Sequence, residues 1–117
     1  MNPELLHRPA ASQPLPNFTK RQVIVADHPS LAGHFPGNPV VPGVVILEEV
    51  MQAFEDWRPG SRVVGMSVVK FLAPLRPEQA FTIRFAESGV RGVRFECVRD
   101  DGRALARGCL TAVRTGG

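Results

Sequence analysis

The stretch from His34 to Gln52 reads HFPGNPVVPGVVILEEVMQ and combines a loop motif with the start of a helix. A histidine opens the stretch, a rigid run of prolines and glycines follows, and apolar residues then repeat with helical spacing. Arg58-Pro59-Gly60 ends that pattern, because proline disfavours helix in the residue before it and glycine suits a helix exit. The sequence therefore predicts a helix that begins at Gly43 or Val44 and runs to about Trp57.

The predicted helix has a wide apolar arc on a helical wheel, and such an arc needs a large sheet to cover it. The members of the arc are Val44, Ile46, Leu47, Val50, Met51, Ala53, Phe54 and Trp57. The opposite side is polar and carries Glu48, Glu49, Gln52, Glu55 and Asp56. A solvated carboxylate is the ordinary state on such a face, so periodicity alone does not select one of these four carboxylates as functional.

Strand patterns lie on both sides of the helix. The predicted strands cover residues 20–26, 62–72, 79–87, 90–99 and 103–114. Ser88-Gly89 and Asp101-Gly102 are hairpin signals between the later strands. In the last strand one face consists mostly of small residues, which would let a helix lie close: Ala104, Ala106, Gly108, Leu110 and Ala112. These features predict an α+β architecture in which an antiparallel sheet of about five to six strands wraps one helix.

The chain is 117 residues long, which suits one domain with one core. Residues 1–19 form a proline-rich arm in this interpretation, and residues 20–117 form the domain. Between the first strand and the helix, the loop over residues 27–42 is long enough to indicate a functional segment. The sequence contains no apolar run of about 18 residues and no signal-peptide pattern, so no membrane partner and a cytoplasmic location are expected.

Cysteine and histidine usage predicts neither a disulfide nor a metal site. If Asp101-Gly102 makes a hairpin, Cys97 and Cys109 lie about 10 Å apart along the ladder, which is too far for a disulfide. Their spacing fits no metal-binding pattern, and the chain has only three histidines. Phosphate-binding glycine patterns are also absent from the sequence. We therefore expect reduced thiols, no metal and no cofactor.

The formal net charge is +3, and most of the arginines lie in the second half of the chain. One interpretation is that these arginines are solvated residues on the outward face of strands. A second is that they form a surface that attracts an acidic partner. Nucleic acid is the weaker version of this second interpretation, because the sequence has no tyrosine and no cluster of lysine and arginine.

Two features make the start of the predicted helix a candidate site. Pro42-Gly43 leaves backbone N–H groups free at a helix N-terminus, where the helix dipole favours developing negative charge. His34 lies in the loop that leads to that same end. A base, an oxyanion site and a carboxylate from the helix can converge there.

Residues 33–43, GHFPGNPVVPG, followed by Glu48 and Gln52, resemble the signature of the (3R)-hydroxyacyl-ACP dehydratases of type II fatty-acid synthesis, where ACP is acyl carrier protein. Residues 70–77, KFLAPLRP, are similar to a second motif of that family. The resemblance covers roughly residues 20–114. It implies the hotdog fold, in which a sheet wraps one long central helix.

The resemblance also implies roles for individual residues. His34 would remove the α-proton of a 3-hydroxyacyl thioester, and Glu48 of a partner chain would protonate the departing hydroxyl. The N–H of Gly43 would hold the thioester oxygen, and Gln52 would orient Glu48. Phe35, Pro42 and Val44 complete the expected substrate-binding set. The implied partners are acyl-ACP and a second copy of the chain, with assembly into a trimer of dimers left open.

The sequence departs from the family pattern in ways that affect these expectations. Glu49 stands where the family has a small residue, and Leu72-Ala73 stands where basic residues are common. The chain has no tyrosine to serve as the family's gate to the acyl tunnel, and its short core suggests a specialised relative from an aryl-polyene or pigment pathway. Two alternatives remain: a hotdog thioesterase whose carboxylate activates water, and a non-catalytic acyl-binding accessory protein.

Overall fold

The computed structural model describes residues 17–31, 40–89 and 92–115. Within these ranges there are five strands, one α-helix and a short 3₁₀ helix. In chain order they are β1 (Phe18–Val23), the 3₁₀ helix (Pro29–Leu31), α1 (Gly43–Trp57), β2 (Ser61–Phe71), β3 (Ala80–Ser88), β4 (Gly92–Arg99) and β5 (Ala104–Arg114). No helix in the described ranges has the length and apolar character needed to cross a membrane.

The five strands form one antiparallel sheet with the order β1-β3-β4-β5-β2. Consecutive strands pair in β3-β4-β5, and both turns contain a glycine in the left-handed region, Gly89 at φ 73° and Gly102 at φ 89°. These turns confirm the two predicted hairpins. Helix α1 packs on one face of the sheet, so the predicted α+β layer architecture is confirmed.

Helix α1 has the predicted bounds, but the predicted apolar arc is wrong in its first turn. Val44 is 62% exposed, whereas Val45 is fully buried. The buried stripe consists of Val45, Ile46, Val50, Ala53 and Phe54. Two adjacent valines are equal in hydropathy, so periodicity could not decide which of them faces the sheet; the position of the sheet decides it.

Strand β1 also differs from its prediction, since it begins at Phe18 and ends at Val23 instead of covering residues 20–26. The backbone beyond Val23 pairs with Glu78 rather than with a strand. The Ile24 carbonyl accepts a hydrogen bond from the Glu78 N–H at 2.8 Å, and the Ala26 N–H donates to Glu78 Oε2 at 2.7 Å. The β-branched residues of this segment therefore extend past the end of the strand.

An aromatic cluster joins the end of α1 to β1 and β3. Trp57 stacks on Phe85 with ring centroids 5.5 Å apart, and Phe18 stacks on Trp57 at 5.7 Å. Phe54 meets Phe85 edge-on at 5.9 Å. The guanidinium of Arg58 covers the Trp57 ring at 3.9 Å, which adds a cation–π contact at the helix exit. These contacts fix the C-terminal half of α1 on the sheet.

The small residues of β5 were expected to make room for the helix, and Gly108 corrects that expectation. A Cβ atom on Gly108 would lie 2.8 Å from Phe95 Cε2 and 3.1 Å from Val69 Cγ2. Phe95 is the residue opposite Gly108 on β4. At this position the space above β5 is filled by a ring from the neighbouring strand and not by the helix.

The two cysteines are free, and their placement confirms the predicted offset. Cys97 pairs with Ala106, three residues before Cys109 on β5. Cys97 is buried in the core, and this burial, with a smaller effect of the nearby Glu96 charge, raises the pKa of its thiol to about 12. Cys109 is only half-buried.

We expect Cys109 to react with a thiol reagent in the native protein and Cys97 to react only after unfolding. The ordinary pKa of a cysteine thiol is 9.0. At pH values between 9.0 and about 12, the unfolded chain therefore releases the Cys97 proton while the folded chain retains it. The contribution of this thiol to stability is therefore complete below about pH 9 and is lost as the pH rises toward 12. Native and denaturant-unfolded samples can be compared by counting reactive thiols at pH 8; equal counts would contradict the prediction.

Candidate functional site

The N-terminus of α1 presents free backbone donors. Pro42 precedes the helix in an extended conformation and offers no side-chain cap. The first hydrogen bond of the helix runs from the Val45 N–H to the Pro42 carbonyl at 3.0 Å. The N–H groups of Gly43 and Val44 donate to no residue in the described ranges, as expected for a helix start. They can therefore stabilise an oxygen that gains negative charge.

The segment that enters the helix is held in place by the connection between β2 and β3. The Val41 N–H donates to the Leu75 carbonyl at 2.7 Å, and both side chains are buried. That connection is anchored in turn to β5, because the Leu72 N–H donates to the Leu105 carbonyl at 2.7 Å. The segment over residues 70–77 therefore lies against the entry to α1, so the fold brings together the ends of the two motifs.

Gly43 is the point of closest approach at this site. The ring of Phe71 covers it, so that a Cβ atom on Gly43 would lie 2.6 Å from Phe71 Cζ and 2.8 Å from Cε1. Phe71 is itself 52% exposed, and its ring forms one wall of the helix start. The sequence did not identify Phe71 as part of the site. Its position in the second motif was the only signal that could have identified it.

We expect the Gly43→Ala substitution to displace the Phe71 ring and to lower activity more than stability. The added methyl group collides with a half-exposed ring, which can rotate into solvent, and not with the backbone. In the Phe71→Ala background the same substitution should cost much less, because the collision is gone. A double-mutant cycle measured on both activity and thermal unfolding tests this coupling. Equal effects of Gly43→Ala in the two backgrounds would contradict it.

The structure distinguishes the four carboxylates of α1, which the sequence could not do. Glu49 accepts a hydrogen bond from the Gln22 side chain on β1. Asp56 forms an ion pair with Lys20, and hydrogen bonding from Lys20 and then from Gln52 lowers its pKa. Glu48 and Glu55 are exposed and have no partner among the residues that the structure describes. Of these two, Glu48 is nearer the free N–H groups.

Gln52 does not orient Glu48 within this single chain. Its Nε2 donates to Asp56 Oδ1 at 3.2 Å, one turn further along the helix. Gln52, Glu48 and Val44 follow one another at four-residue spacing, and all three are exposed. The exposed Val44 at the start of this row follows Gly43, which the exposed Phe71 ring covers, and this apolar patch indicates a surface that a substrate or a second chain can cover.

His34 and Phe35 lie outside the described residues, so the convergence of His34 with Glu48 stays a prediction. Among the other expected site residues, Gly43 and Val44 form the first turn of α1, and Pro42 is its N-cap. The structure thus positions the helix side of the candidate site: free donors, an exposed carboxylate and an aromatic wall.

Comparison with known proteins gives consistent matches. A family described as ApeI-like, ApeI dehydratase, matches residues 14–109. The 3-hydroxyacyl-ACP dehydratase FabZ of Wolbachia pipientis is 35% identical over 86 residues, which cover 65% of this chain and 60% of that protein. The FabZ of Ehrlichia chaffeensis is 29% identical over 101 residues, covering 80% of this chain and 71% of that protein. This chain therefore spans only part of the length of these relatives.

Among solved structures, the dehydratase heterocomplex ApeI:P from Xenorhabdus doucetiae superposes with a TM-score of 0.71. The superposition covers 87% of this chain and 99% of that chain at 20% sequence identity. At this level of identity the likeness concerns the fold. It confirms the hotdog fold that the resemblance implied.

Proposed function

Because this chain belongs to the ApeI-like dehydratase family, we propose that it removes water from a (3R)-3-hydroxyacyl thioester carried on ACP, giving the trans-2-enoyl thioester. The observation that carries the proposal is the exposed Glu48, which has no partner among the described residues and lies five residues after the N–H of Gly43, which likewise donates to none of them. In the sequence, His34 stands nine residues before Gly43, which is the spacing of the dehydratase signature.

The proposed reaction uses one base, one acid and one oxyanion site. His34 takes the proton from C2, and the electron pair of that C–H bond becomes the C2–C3 double bond. The C3–O bond breaks as the hydroxyl takes a proton from Glu48, so that water leaves. The Gly43 N–H donates to the thioester oxygen, which carries negative charge while the C2 proton departs. Substrate and products balance without a cofactor.

We further propose that the active form is a homodimer. A carboxyl that acts as a general acid at neutral pH has to be shielded from water, and Glu48 is exposed in the single chain. A second chain would supply that shielding together with its own His34. Strand β2 supports this assembly because it is an edge of the sheet and carries the exposed apolar residues Val64, Val68 and Phe71.

The decisive experiment is a product assay with acyl-ACP. The protein is incubated with 3-hydroxyacyl-ACP and, separately, with enoyl-ACP, and loss or addition of water is followed by mass spectrometry. We expect an 18 Da change in both directions with the thioester intact. Release of free thiol would favour the alternative hotdog thioesterase. Binding of acyl-ACP without turnover would favour a non-catalytic accessory protein.

Light scattering tests the assembly. A mass of two chains is expected, and a strictly monomeric yet active protein would contradict a site shared between chains. If activity appears only when a second, non-identical dehydratase subunit is added, the homodimer is wrong.

A further inference from the structure

The face of the sheet opposite α1 contains a pocket of about 370 Å³ that the proposed dehydration does not use. Its lining includes four cationic side chains. We call them the outer-face cations: Lys70, Arg84, Arg94 and Arg107. On β3 and β4 these residues alternate with the buried Phe85 and Phe95, so they project away from the core. Glu96 is the one carboxylate in the lining.

Strand register brings the outer-face cations together. Across β3, β4, β5 and β2, one row of paired residues reads Arg84, Glu96, Arg107, Lys70. Arg94 lies in the neighbouring row, two residues from Glu96 on β4. Because adjacent strands are about 4.8 Å apart, all four cations lie within reach of one small ligand.

The positive charge of the outer-face cations exceeds the negative charge of the carboxylates beside them. Glu96 forms an ion pair with Arg84 at 3.7 Å, whereas Lys70, Arg94 and Arg107 have no ion pair within the described ranges. Four cations and one carboxylate leave +3, which equals the formal net charge of the whole chain.

Three arginines elsewhere in the described structure pair with carboxylates, whereas Arg62, Arg76, Arg103 and Arg114 form no ion pair with the described residues. Arg21 pairs with Asp100 at 2.6 Å, Arg99 pairs with Asp101 at 2.5 Å, and Arg58 pairs with Glu87. The pocket differs in that two cations, Arg107 and Lys70, are directly opposite each other on paired strands, and such like-charged pairs are destabilising. An arrangement that costs stability and repels a second copy of the same face indicates an anionic ligand.

The rim of the pocket contains a strained backbone. Val68 has φ 50°, a value that β-branched residues rarely adopt. It belongs to a bulge in β2. Ser67 pairs with Cys109 and Lys70 pairs with Arg107, so two residues of β2 lie opposite the single residue Gly108 of β5. This bulge sets Lys70 opposite Arg107 and places Val68 in the pocket lining. Bulges and strained residues of this kind concentrate at binding sites.

From these observations we propose that the pocket binds a small ligand bearing two or more phosphoryl groups. Guanidinium groups bind phosphate oxygens through paired hydrogen bonds, and three unneutralised cations match a multiply charged anion better than a single carboxylate. The pocket volume lies at the small end of the range for ligand sites, about 300–1,000 Å³. An acidic protein surface fits less well, because all four cations line one pocket of about 370 Å³.

The test is a titration of the full chain with sodium diphosphate, with orthophosphate as the weaker comparison probe. Calorimetry should give saturable binding with one ligand per chain, and the melting temperature should rise with diphosphate concentration. The dissociation constant should increase with sodium chloride, because the contacts are ionic. Absence of saturable binding at low salt would overturn the proposal.

Two double variants that lose the same charge, one inside and one outside the pocket, distinguish binding at the pocket from attraction to the overall positive charge. The Arg94→Gln/Arg107→Gln double variant should weaken diphosphate binding at least about tenfold, the factor expected when charge-assisted hydrogen bonds are lost. Arg62→Gln/Arg103→Gln removes the same charge outside the pocket lining, six and four residues along the sheet from Arg107. At 0.15 M sodium chloride, where the Debye length is about 8 Å, it should leave binding within about twofold. Equal losses in the two double variants would overturn the proposal. If the first variant does not fold, Lys70→Gln on the edge strand replaces it.

Two further titrations distinguish a small phosphorylated ligand from a lipid surface and from an acidic polypeptide. Phosphatidylglycerol vesicles present phosphoryl groups on a lipid surface, and binding to vesicles without binding to free diphosphate would overturn the small-ligand proposal. Poly-glutamate presents carboxylates on a polypeptide, and tighter binding of poly-glutamate than of diphosphate would identify an acidic protein partner instead. Dehydratase activity should be the same in both double variants, because the pocket lies on the other face of the sheet from α1.

Discussion

The Glu48→Gln substitution is expected to lower the dehydratase kcat/KM by about 100- to 10,000-fold, the usual contribution of a positioned general acid. Glutamine has nearly the same shape as glutamate but cannot deliver a proton to the departing hydroxyl. The fold should be unaffected, because Glu48 is exposed and has no partner among the described residues. Steady-state kinetics on 3-hydroxyacyl-ACP measures the loss, and thermal unfolding should show an unchanged melting temperature.

Glu55→Gln is the matched control for this experiment. Glu55 lies on the same helix, is also exposed, and has no partner in the described part of the chain. We expect this variant to keep wild-type kinetics. If both substitutions reduce activity alike, the effect comes from the charge of the helix and the assigned role of Glu48 is wrong.

Mixing two inactive variants tests whether the site is shared between chains. In a dimer of one His34→Ala chain and one Glu48→Gln chain, one site carries both substitutions and the other carries neither. Random exchange of subunits should therefore restore about a quarter of the wild-type activity, because half of the dimers are mixed and each has one intact site. No recovery after unfolding and refolding the mixture would place both residues on the same chain.

The largest effect on stability is expected from Phe85→Ala, which should lower the free energy of unfolding by about 3–5 kcal/mol. Phe85 is fully buried and contacts three other aromatic rings, namely Phe18, Phe54 and Trp57. Its removal leaves a cavity where the end of α1 meets β1 and β3. A domain of this size has a total of about 5–15 kcal/mol, so a large share of the stability would be lost.

Chemical denaturation monitored by Trp57 fluorescence measures this loss directly, since Trp57 stacks on Phe85. Val25→Ala serves as the control, because Val25 is 47% exposed beyond the end of β1 and should change the free energy of unfolding by no more than about 0.5 kcal/mol. A Phe85→Ala loss as small as that of the control would mean that the aromatic cluster does not hold the helix on the sheet.

Local signals made much of the fold predictable. Pro42 and Arg58-Pro59-Gly60 gave the helix bounds, and the glycines at 89 and 102 gave two turns, because each acts on the backbone within a few residues. The order of the strands was not predictable in this way. Strand β2 pairs with β5 and not with its chain neighbour β3, and no local pattern encodes that pairing.

The candidate site was likewise predictable only where local sequence determines it. The free N–H of Gly43 follows from the sequence, since any helix after a proline cap leaves its first donors unpaired. The selection of Glu48 came from the dehydratase resemblance, because the partners that occupy Glu49 and Asp56 lie on β1, more than twenty residues away. Phe71 reaches Gly43 only once the sheet has folded, so its contact with the helix start could not be predicted from local sequence.

The position of β5 between β4 and β2 also has a consequence for how the protein is made. Strand β2 is complete at Phe71, but its partner extends from Ala104 to Arg114. At a synthesis rate of about 5–20 residues per second, β2 and the apolar side of α1 emerge from the ribosome seconds before the strand that completes their sheet. The nascent chain thus has an interval in which its most apolar segment is a client for chaperones, and substitutions that shorten β5 should reduce soluble yield before they reduce catalysis.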